Sequence, residues 1–313
     1  MTAYKKDDIS EGWVSKISVD VVVLGSINMD LVLKTERNPY PGETINSDNF
    51  EIHPGGKGNN QAVALGKLGA SVLMLGCVGR DDYGRKLVQN LRSNGVNADY
   101  ILEVDDSTGI AFINVFNGQN TIILYKGANG CCTVDAMSPY VDIIKGAKIL
   151  LTQLEIPYET VKWALKIAHD NGVMTVLNPA PARILDDDIW PYVDVLVPNE
   201  IECKGILGLD GDDVTYEAII RELIGRAVKN VVITLGAEGC IYNSGDTIMR
   251  QRAMATKVVD TTGAGDAFIG GLVFALSKGR SIDEAVLMGT RVAGIKIGFM
   301  GAQDYVIDPS GLI

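Results

Sequence analysis

The residues best suited to chemistry lie in the stretch 259–271, which reads Val-Asp-Thr-Thr-Gly-Ala-Gly-Asp-Ala-Phe-Ile-Gly-Gly. Gly263, Ala264 and Gly265 lead into an apolar run with the composition of a buried helix. The first backbone N–H groups of a helix lack intrahelical partners and carry the positive end of its dipole, so this junction is a candidate anion site. Asp266 would repel a permanently bound anion. It suits a site where a phosphoryl group is transferred and a carboxylate takes the proton of the attacking hydroxyl.

An ordinary tight strand-to-helix turn is the alternative for this stretch, with Asp266 favoured by the helix dipole alone. A dinucleotide-binding fingerprint fails on spacing, because Phe268 stands where its third glycine belongs. The sequence contains no Gly-x-x-x-x-Gly-Lys-Ser/Thr loop. Phosphate transfer by this chain would therefore use a different phosphate-binding loop.

A second glycine-rich stretch, Pro-Gly-Gly-Lys-Gly-Asn-Asn-Gln, occupies residues 54–61. Its glycines predict a loop whose backbone can contact a ligand, and the apolar run 62–68 predicts a helix after it. Polar side chains would lie at the mouth of this loop, namely Lys57, Asn59 and Asn60. A purely structural turn is the alternative.

The alternation of predicted strands and helices indicates a sheet that could position these residues. Buried strands are predicted at 18–24, 71–76, 147–152, 173–177, 193–197 and 231–235. Helices are predicted at 82–94, 158–171, 213–228 and 283–297, the last opening with the capping box Ser281-x-x-Glu284. The rhythm predicts a Rossmann-like three-layer parallel sheet with helices on both faces. Segments of about 28–54 and 108–126, the second with a hairpin turn at Asn117-Gly118, predict a small β-sheet lid inserted in a single domain over 17–313.

Polar side chains follow several of the predicted strands. In a parallel sheet these strand ends share one edge, where open α/β folds bind ligands. Asn28 and Asp30 project from the same face of an extended segment and suit a polyhydroxylated ligand, although an Asx turn is the alternative. Asn199 and Glu202 could organise a hydrated divalent ion. The other polar groups at this edge are Glu155, Asn178 and Thr234.

The composition and charge of the chain limit the kinds of partner that it can bind. The 313 residues carry a net charge of −11, which argues against binding to nucleic acid and to anionic membranes. No apolar run reaches the roughly 20 residues of a membrane helix. Residues 1–16 are predicted to be a polar N-terminal extension, and five cysteines without a Cys-x-x-Cys pair indicate reduced thiols and a cytoplasmic location.

The sequence resembles the ribokinase-like family of carbohydrate and nucleoside kinases over residues 18–305. Two long motifs carry the resemblance: Gly-Gly-Lys-Gly-Asn-Asn-Gln-Ala at 55–62 and Asp-Thr-Thr-Gly-Ala-Gly-Asp-Ala-Phe at 260–268. Shorter segments at 25–30, 41–44, 153–155, 178–182 and 301–303 resemble the members that phosphorylate ribose. The resemblance implies transfer of the γ-phosphoryl group of ATP to O5 of D-ribose, in an enzyme whose lids pair to form a homodimer.

The resemblance also implies roles for individual residues. Asp266 would be the base, and the amides of Gly263, Ala264 and Gly265 the anion hole. The sugar contacts would be Asn28, Asp30, Gly56, Lys57, Asn60, Glu155 and Asp266. The nucleotide contacts would be Asn199, Thr234, Gly236, Gly265 and Thr290, with Mg²⁺ held by Glu202 through water. An activating K⁺ would be held by Asp260 and Thr262 and by carbonyl groups at Lys296, Phe299 and Gly301.

Three positions depart from the family pattern. Tyr305 stands where a serine often completes the cation site, Asp304 replaces a proline, and Thr290 stands where His or Asn often packs against adenine. Sibling kinases for deoxyribose, fructose or a nucleoside are the alternative functions, and a catalytically inactive sugar-binding protein on the same fold is another.

Overall fold

The computed structural model describes residues 19–116, 119–209 and 214–308. The predicted extension 1–16 and the hairpin turn Asn117-Gly118 lie outside these residues. The strands are β1 (Val21–Leu24), β2 (Asn28–Lys34), β3 (Asn49–Gly55), β4 (Val72–Gly79), β5 (Ile101–Val104), β6 (Gly109–Phe116), β7 (Gln119–Tyr125), β8 (Ile149–Thr152), β9 (Met174–Leu177), β10 (Val195–Leu196), β11 (Asn230–Thr234), β12 (Cys240–Ser244) and β13 (Thr247–Gln251). The helices are α1 (Lys57–Lys67), α2 (Asp82–Ser93), α3 (Val134–Met137), α4 (Val141–Lys145), α5 (Tyr158–Asp170), α6 (Glu200–Gly205), α7 (Tyr216–Gly225), α8 (Ala264–Ser277) and α9 (Ile282–Lys296).

The main sheet has nine strands in the order β13-β12-β11-β10-β9-β8-β1-β4-β5. The pairs from β11 to β5 are all parallel, which confirms the predicted fold class. One difference is β12, which pairs antiparallel with both β11 and β13. A short 3₁₀ turn at Gly236–Glu238 reverses the chain there, so no crossover helix separates β11 from β12.

Helices cover both faces of this sheet and divide the core into two layers. Side chains from α1, α2, α8 and α9 form one buried cluster, and those from α3 to α7 form the other. The strand β1 shows why: Val21 and Val23 belong to the first cluster, and Val22 and Leu24 to the second. A continuous β-branched run is therefore buried on both faces, as its composition predicts.

A second sheet has four strands in the order β3-β2-β6-β7. It is built from the two segments predicted to form a lid, and β2 follows β1 after only three residues, so it extends from the ligand-binding edge of the main sheet. Several of its large apolar side chains are exposed, among them Phe112 and Ile123, which are direct neighbours across β6 and β7. This sheet therefore has an uncovered apolar surface.

Most predicted elements are present with shifted ends. The predicted helix 158–171 is observed at Tyr158–Asp170, and the capping box between Ser281 and Glu284 is formed as predicted. The prediction was wrong for the second glycine-rich stretch. The helix α1 begins at Lys57 and not at residue 62, so that Gly58, Asn59 and Asn60 lie in its first turn.

Candidate active site

The site is created by the contact between α1 and α8. Gly270 packs so closely against Ala64 that a Cβ atom added at Gly270 would lie 2.4 Å from the Ala64 Cβ. Four residues earlier in each helix, about one turn, Asn60 and Asp266 meet. Asn60 Nδ2 donates to Asp266 Oδ2 at 3.0 Å. A glycine in the middle of α8 therefore brings the two helix N-termini together.

Asp266 is held by amides from α1 on both of its carboxylate oxygens. Gln61 Nε2 donates to Oδ1 at 2.9 Å, while Asn60 holds Oδ2. The two amides are oriented in turn, because Gln153 Nε2 donates to Gln61 Oε1 at 2.6 Å and Gln303 Nε2 donates to Asn60 Oδ1 at 2.8 Å. The carboxylate is thereby fixed by a network of buried amides. Asp266 can act on a ligand that approaches without having to reorient.

The N-terminus of α8 forms the predicted turn. Gly263 is its N-cap and has the left-handed conformation with φ of 73°, which favours glycine. One predicted anion-hole donor is engaged in this conformation, since Ala264 N donates to Thr261 O at 3.1 Å. Helices leave their first-turn amides without intrahelical acceptors, so the backbone around Gly265 and Asp266 supplies donors for an anion. The anion site at this turn stays a prediction, and Ala264 N would contribute less to it because it already donates to Thr261 O.

The start of α1 is as tightly constrained. Gly56 has φ of 90°, and a Cβ atom there would lie 2.7 Å from Asn28 N. A Cβ at Gly58 would lie 2.7 Å from Ser26 N, so the first turn of α1 rests directly on the segment after β1. Asn59 is fully buried and donates to Gly55 O at 2.9 Å. Asn59 is therefore structural, and the expected position at the mouth of the loop was wrong for this residue.

The predicted sugar contacts Asn28 and Asp30 lie in β2, next to this turn. Asn28 Oδ1 accepts a hydrogen bond from Asn129 Nδ2 at 2.6 Å, and Asn129 Oδ1 accepts one from Ile27 N at 2.9 Å. The sequence did not reveal Asn129 as a residue of this site. Asn129 lies in a short 3₁₀ turn after the lid strand β7 and matches no motif. Gly55 leaves room for Asp30: a Cβ there would lie 2.1 Å from the Asp30 carboxylate.

Negative charge accumulates around Asp30. Burial, followed by the charges of Glu155 and Asp266, raises the pKa of Asp30 to about 7. Glu155 Oε2 accepts hydrogen bonds from the Ser26 hydroxyl and from Lys57 N. Burial disfavours the charged form of Lys57, but the charges of Asp266, Glu155 and Glu202 outweigh burial and raise the pKa of this ammonium. The carboxylates of Asp30, Glu155 and Asp266 therefore interact with one another and with the Lys57 ammonium between β2 and α8.

Several of the predicted nucleotide contacts line a pocket together with Asp266 and Lys57. This pocket is lined by residues of both helix starts and by the strand-end residues Asn199, Glu202 and Thr234. Asn199 and Glu202 form a reciprocal capping box at α6, in which Glu202 Oε2 accepts from Asn199 N at 2.9 Å. Burial raises the pKa of Glu202, and hydrogen bonding to Asn199 and the charge of Lys57 oppose that rise.

Two predicted nucleotide residues are placed differently. Gly236 lies on the exposed turn after β11, two residues beyond Thr234. Thr290 does not line the pocket, because its side chain is buried in α9 and its hydroxyl donates to Val286 O at 2.9 Å. The short threonine side chain is satisfied within its own helix, so a contact to adenine would require it to leave that bond.

The residues predicted to hold a monovalent cation do come together. Asp260 Oδ1 accepts from Thr262 N and from its hydroxyl, and Asp260 Oδ2 accepts from Gly301 N at 2.8 Å. The side chain of Lys296 also lies here, and its Nζ donates to Asp260 O at 2.8 Å and to Phe299 O at 3.5 Å. The Phe299 carbonyl oxygen, which was expected to bind the ion, and the Asp260 carbonyl oxygen thus face an ammonium group. The arrangement does not fit a potassium ion.

Within 19–116, 119–209 and 214–308, no three His, Cys, Asp or Glu side chains converge as a metal cluster. In the same ranges no helix has the length and apolarity to cross a membrane. The cysteines at 77, 131, 132, 203 and 240 are free.

Comparison with known proteins agrees with the geometry. The model of the pfkB family carbohydrate kinases matches residues 19–308. The ribokinase of Lactococcus lactis is 38% identical over 284 residues, which cover 90% of this chain and 92% of that protein. The deoxyribokinase of Salmonella typhi is 35% identical over 292 residues, covering 91% and 94%. The solved structure of Arabidopsis thaliana ribokinase complexed with ribose and ATP superposes with a TM-score of 0.85 at 30% identity, covering 95% and 98%. The chain belongs to the pfkB family of carbohydrate kinases.

Proposed function

We propose that the protein is a ribokinase, which transfers the γ-phosphoryl group of ATP to O5 of D-ribose and releases ADP and D-ribose 5-phosphate. The observation that carries this proposal is the position of Asp266. It is fixed by Asn60 and Gln61 of α1 and lies at the N-terminus of α8, between the sugar-side residues and the nucleotide-side pocket. A relative named ribokinase at 38% identity over 90% of the chain supports the choice of substrate.

The reaction follows from this arrangement. Asp266 accepts the proton of the O5 hydroxyl as O5 attacks the γ-phosphorus. The O5–P bond forms while the bond from that phosphorus to the β,γ-bridging oxygen breaks, and ADP leaves with the electron pair. Backbone amides at Gly263 and Gly265, with a smaller part for Ala264, stabilise the charge on the transferred group. Lys57, which lines the pocket together with Asp266, adds a positive charge to the same space.

Sugar recognition falls to the polar side chains of β2 and their neighbours. Asn28, held by Asn129, and Asp30, given room by Gly55, present an amide and a carboxylate to the hydroxyl groups of a pentose. Glu155 and Gly56 complete this side. A buried carboxylate that accepts from two sugar hydroxyls loses one of these hydrogen bonds when the sugar lacks one of the hydroxyls. Such sites can discriminate between sugars by a factor of about 10⁴.

The nucleotide binds in the pocket lined by Asn199, Glu202 and Thr234. Magnesium keeps several waters and takes one or two protein carboxylates besides the nucleotide phosphates. Glu202 and Asp266 are the two carboxylates that line this pocket. Since Asp266 is assigned the proton of the hydroxyl, we propose that Glu202 holds the ion through water. Bound Mg²⁺ neutralises charge on the phosphates.

A deoxyribokinase is the second candidate, because the Salmonella typhi relative is nearly as similar. The two functions are separated by ADP release from purified protein with ATP and Mg²⁺, assayed with ribose, 2-deoxyribose, fructose and adenosine. We expect the highest kcat/KM with ribose and loss of turnover in excess EDTA. Higher kcat/KM with any of the other three acceptors would replace the proposal by that sibling kinase. No ADP release with any acceptor, together with ribose binding in calorimetry, would support the inactive sugar-binding protein.

We also propose a homodimer formed through the lid and a cytoplasmic location. Exposed apolar side chains on the second sheet support the dimer, and five free cysteines suit a compartment that keeps thiols reduced. A second copy of the chain would cover the lid surface and steady it over the sugar side.

A further inference from the structure

Lys296 is the one lysine with a fully buried side chain among the described residues. It is the last residue of α9 and has 0% exposure, although no carboxylate lies within ordinary hydrogen-bond distance of its Nζ. The nearest is Asp260 Oδ2 at 3.9 Å. Burial of an ammonium that has no hydrogen-bonded counter-ion is costly, so its position calls for a compensating function.

All contacts of this ammonium are to acceptor oxygens. Nζ donates to Asp260 O at 2.8 Å and to Phe299 O at 3.5 Å, and it lies near the Asp260 carboxylate. Lysine has three donors and no acceptor, so a cluster of carbonyl and carboxylate oxygens is the environment it needs. The same cluster of oxygens would otherwise coordinate a monovalent cation.

The neighbouring contacts leave little for an added ion. The Lys296 carbonyl accepts from Phe299 N at 3.0 Å, and the Thr262 hydroxyl donates to Asp260 Oδ1 at 2.7 Å. Tyr305, where a serine hydroxyl could complete an ion site, places its ring in the hydrophobic core instead. Its carbonyl accepts from Lys67 Nζ at 2.7 Å.

This cluster supports the predicted anion site at α8. Val259 N and Asp260 N both donate to Ile297 O, at 2.7 and 3.2 Å, so the end of α9 holds the chain just before the anion-binding turn. Asp260 also reaches Gly301 N, and Thr262 directly precedes Gly263. A positive charge fixed at Asp260 O therefore stabilises the backbone that orients the first amides of α8.

We infer that the Lys296 ammonium replaces the monovalent cation and makes the protein independent of K⁺. Lys296 is then a positioning residue. Its side chain supplies the positive charge that a bound ion would otherwise bring, and it holds the 260–262 segment in place for phosphoryl transfer. Burial lowers the pKa of Lys296, and the charge of Asp260 opposes that shift. The inference rests on the proposed phosphotransfer only for its activity readout, because ion binding can be measured separately.

The test compares KCl, NaCl and choline chloride at equal ionic strength. For the wild type we expect the same turnover and the same melting temperature in all three salts. Lys296→Ala leaves the oxygens without a cation, and displacing a catalytic segment costs roughly 10²-fold in rate. We expect KCl, and not choline chloride, to restore much of that rate and to raise the melting temperature of this variant.

Two further variants keep the test decisive. Lys296→Met fills the same space without charge, so we expect the loss of rate without restoration by KCl. Lys278→Ala removes an exposed lysine just after α8 and should behave as wild type in every salt. Activation of the wild type by KCl, or a Lys296→Met variant with normal turnover, would overturn the inference. The melting curves decide even if no sugar is phosphorylated, since a wild type stabilised specifically by KCl contradicts it without reference to activity.

Discussion

At the scale of single residues, the site is a set of polar groups whose pKa values are shifted by burial and by neighbouring charges. Asp30 shows this most clearly. Its pKa is raised to about 7 by burial and by the charges of Glu155 and Asp266. Ribose hydroxyls donate to a carboxylate better than to a carboxylic acid, so ligand binding favours the ionised form. We therefore expect the protonation state of Asp30 to control sugar affinity near pH 7.

This predicts that the KM for ribose rises as the pH falls through 7, by up to about tenfold per pH unit below the pKa.

A raised carboxyl pKa also means that the folded, ligand-free protein holds a proton that the unfolded chain releases. Its stability should therefore decrease as the pH rises from the ordinary aspartate pKa of 3.8 towards about 7. The checks are KM and melting temperature on both sides of pH 7. Asp30→Asn should bind ribose weakly with a flat pH profile in KM; an unchanged pH profile in this variant would assign the titration to another group.

Individual residues also mark the limit of sequence reasoning. Asn28, Asp30, Glu155 and Asp266 could be predicted because each follows a strand or opens a helix. The amides that hold them could not, since Gln61, Gln153 and Gln303 meet only through the tertiary fold. The direction of the Lys296 side chain was equally hidden: the family resemblance implied its carbonyl as a ligand, whereas its ammonium occupies the cluster. Side-chain direction depends on how segment 299–301 packs over Asp260, which no local pattern encodes.

At the scale of elements, the predictable part was the alternation of strands and helices, because burial on both faces leaves uninterrupted β-branched runs such as β1. The turn from β11 into the antiparallel strand β12 was missed, since a short reversal leaves no helical period to detect. The start of α1 was also misplaced. Gly56 and Gly58 look like loop residues, but close contact with Asn28 and Ser26 is the reason for their small size.

The lid sheet makes a separate prediction about assembly. Phe112 and Ile123 are 47% and 68% exposed and adjacent, and a second copy would bury them. We expect the molar mass of a dimer in light scattering after size exclusion, and a shift towards the monomer for Ile123→Asp. Ile184→Asp, an exposed apolar residue outside the lid, should remain dimeric. A wild-type monomer at micromolar concentration would contradict the proposal.

At the scale of the whole molecule, the fold brings two glycine-rich helix starts to one edge of a parallel sheet. The contact between Gly270 and Ala64 sets their distance, and Asp266 lies where they meet. The sugar side and the nucleotide side therefore share one carboxylate. This arrangement explains how a single side chain can accept a proton next to the amides that receive the phosphoryl group.

The most direct test of this account is Asp266→Asn, with ribose and ATP binding measured by calorimetry beside the rate of ADP formation. The amide keeps the size of the carboxylate but cannot accept the proton, so we predict retained binding of both substrates and turnover lowered by about 10²–10⁴. Asp82→Asn, an exposed first-turn aspartate of α2, is the matched control and should keep full turnover. Near-normal turnover in Asp266→Asn would contradict the account.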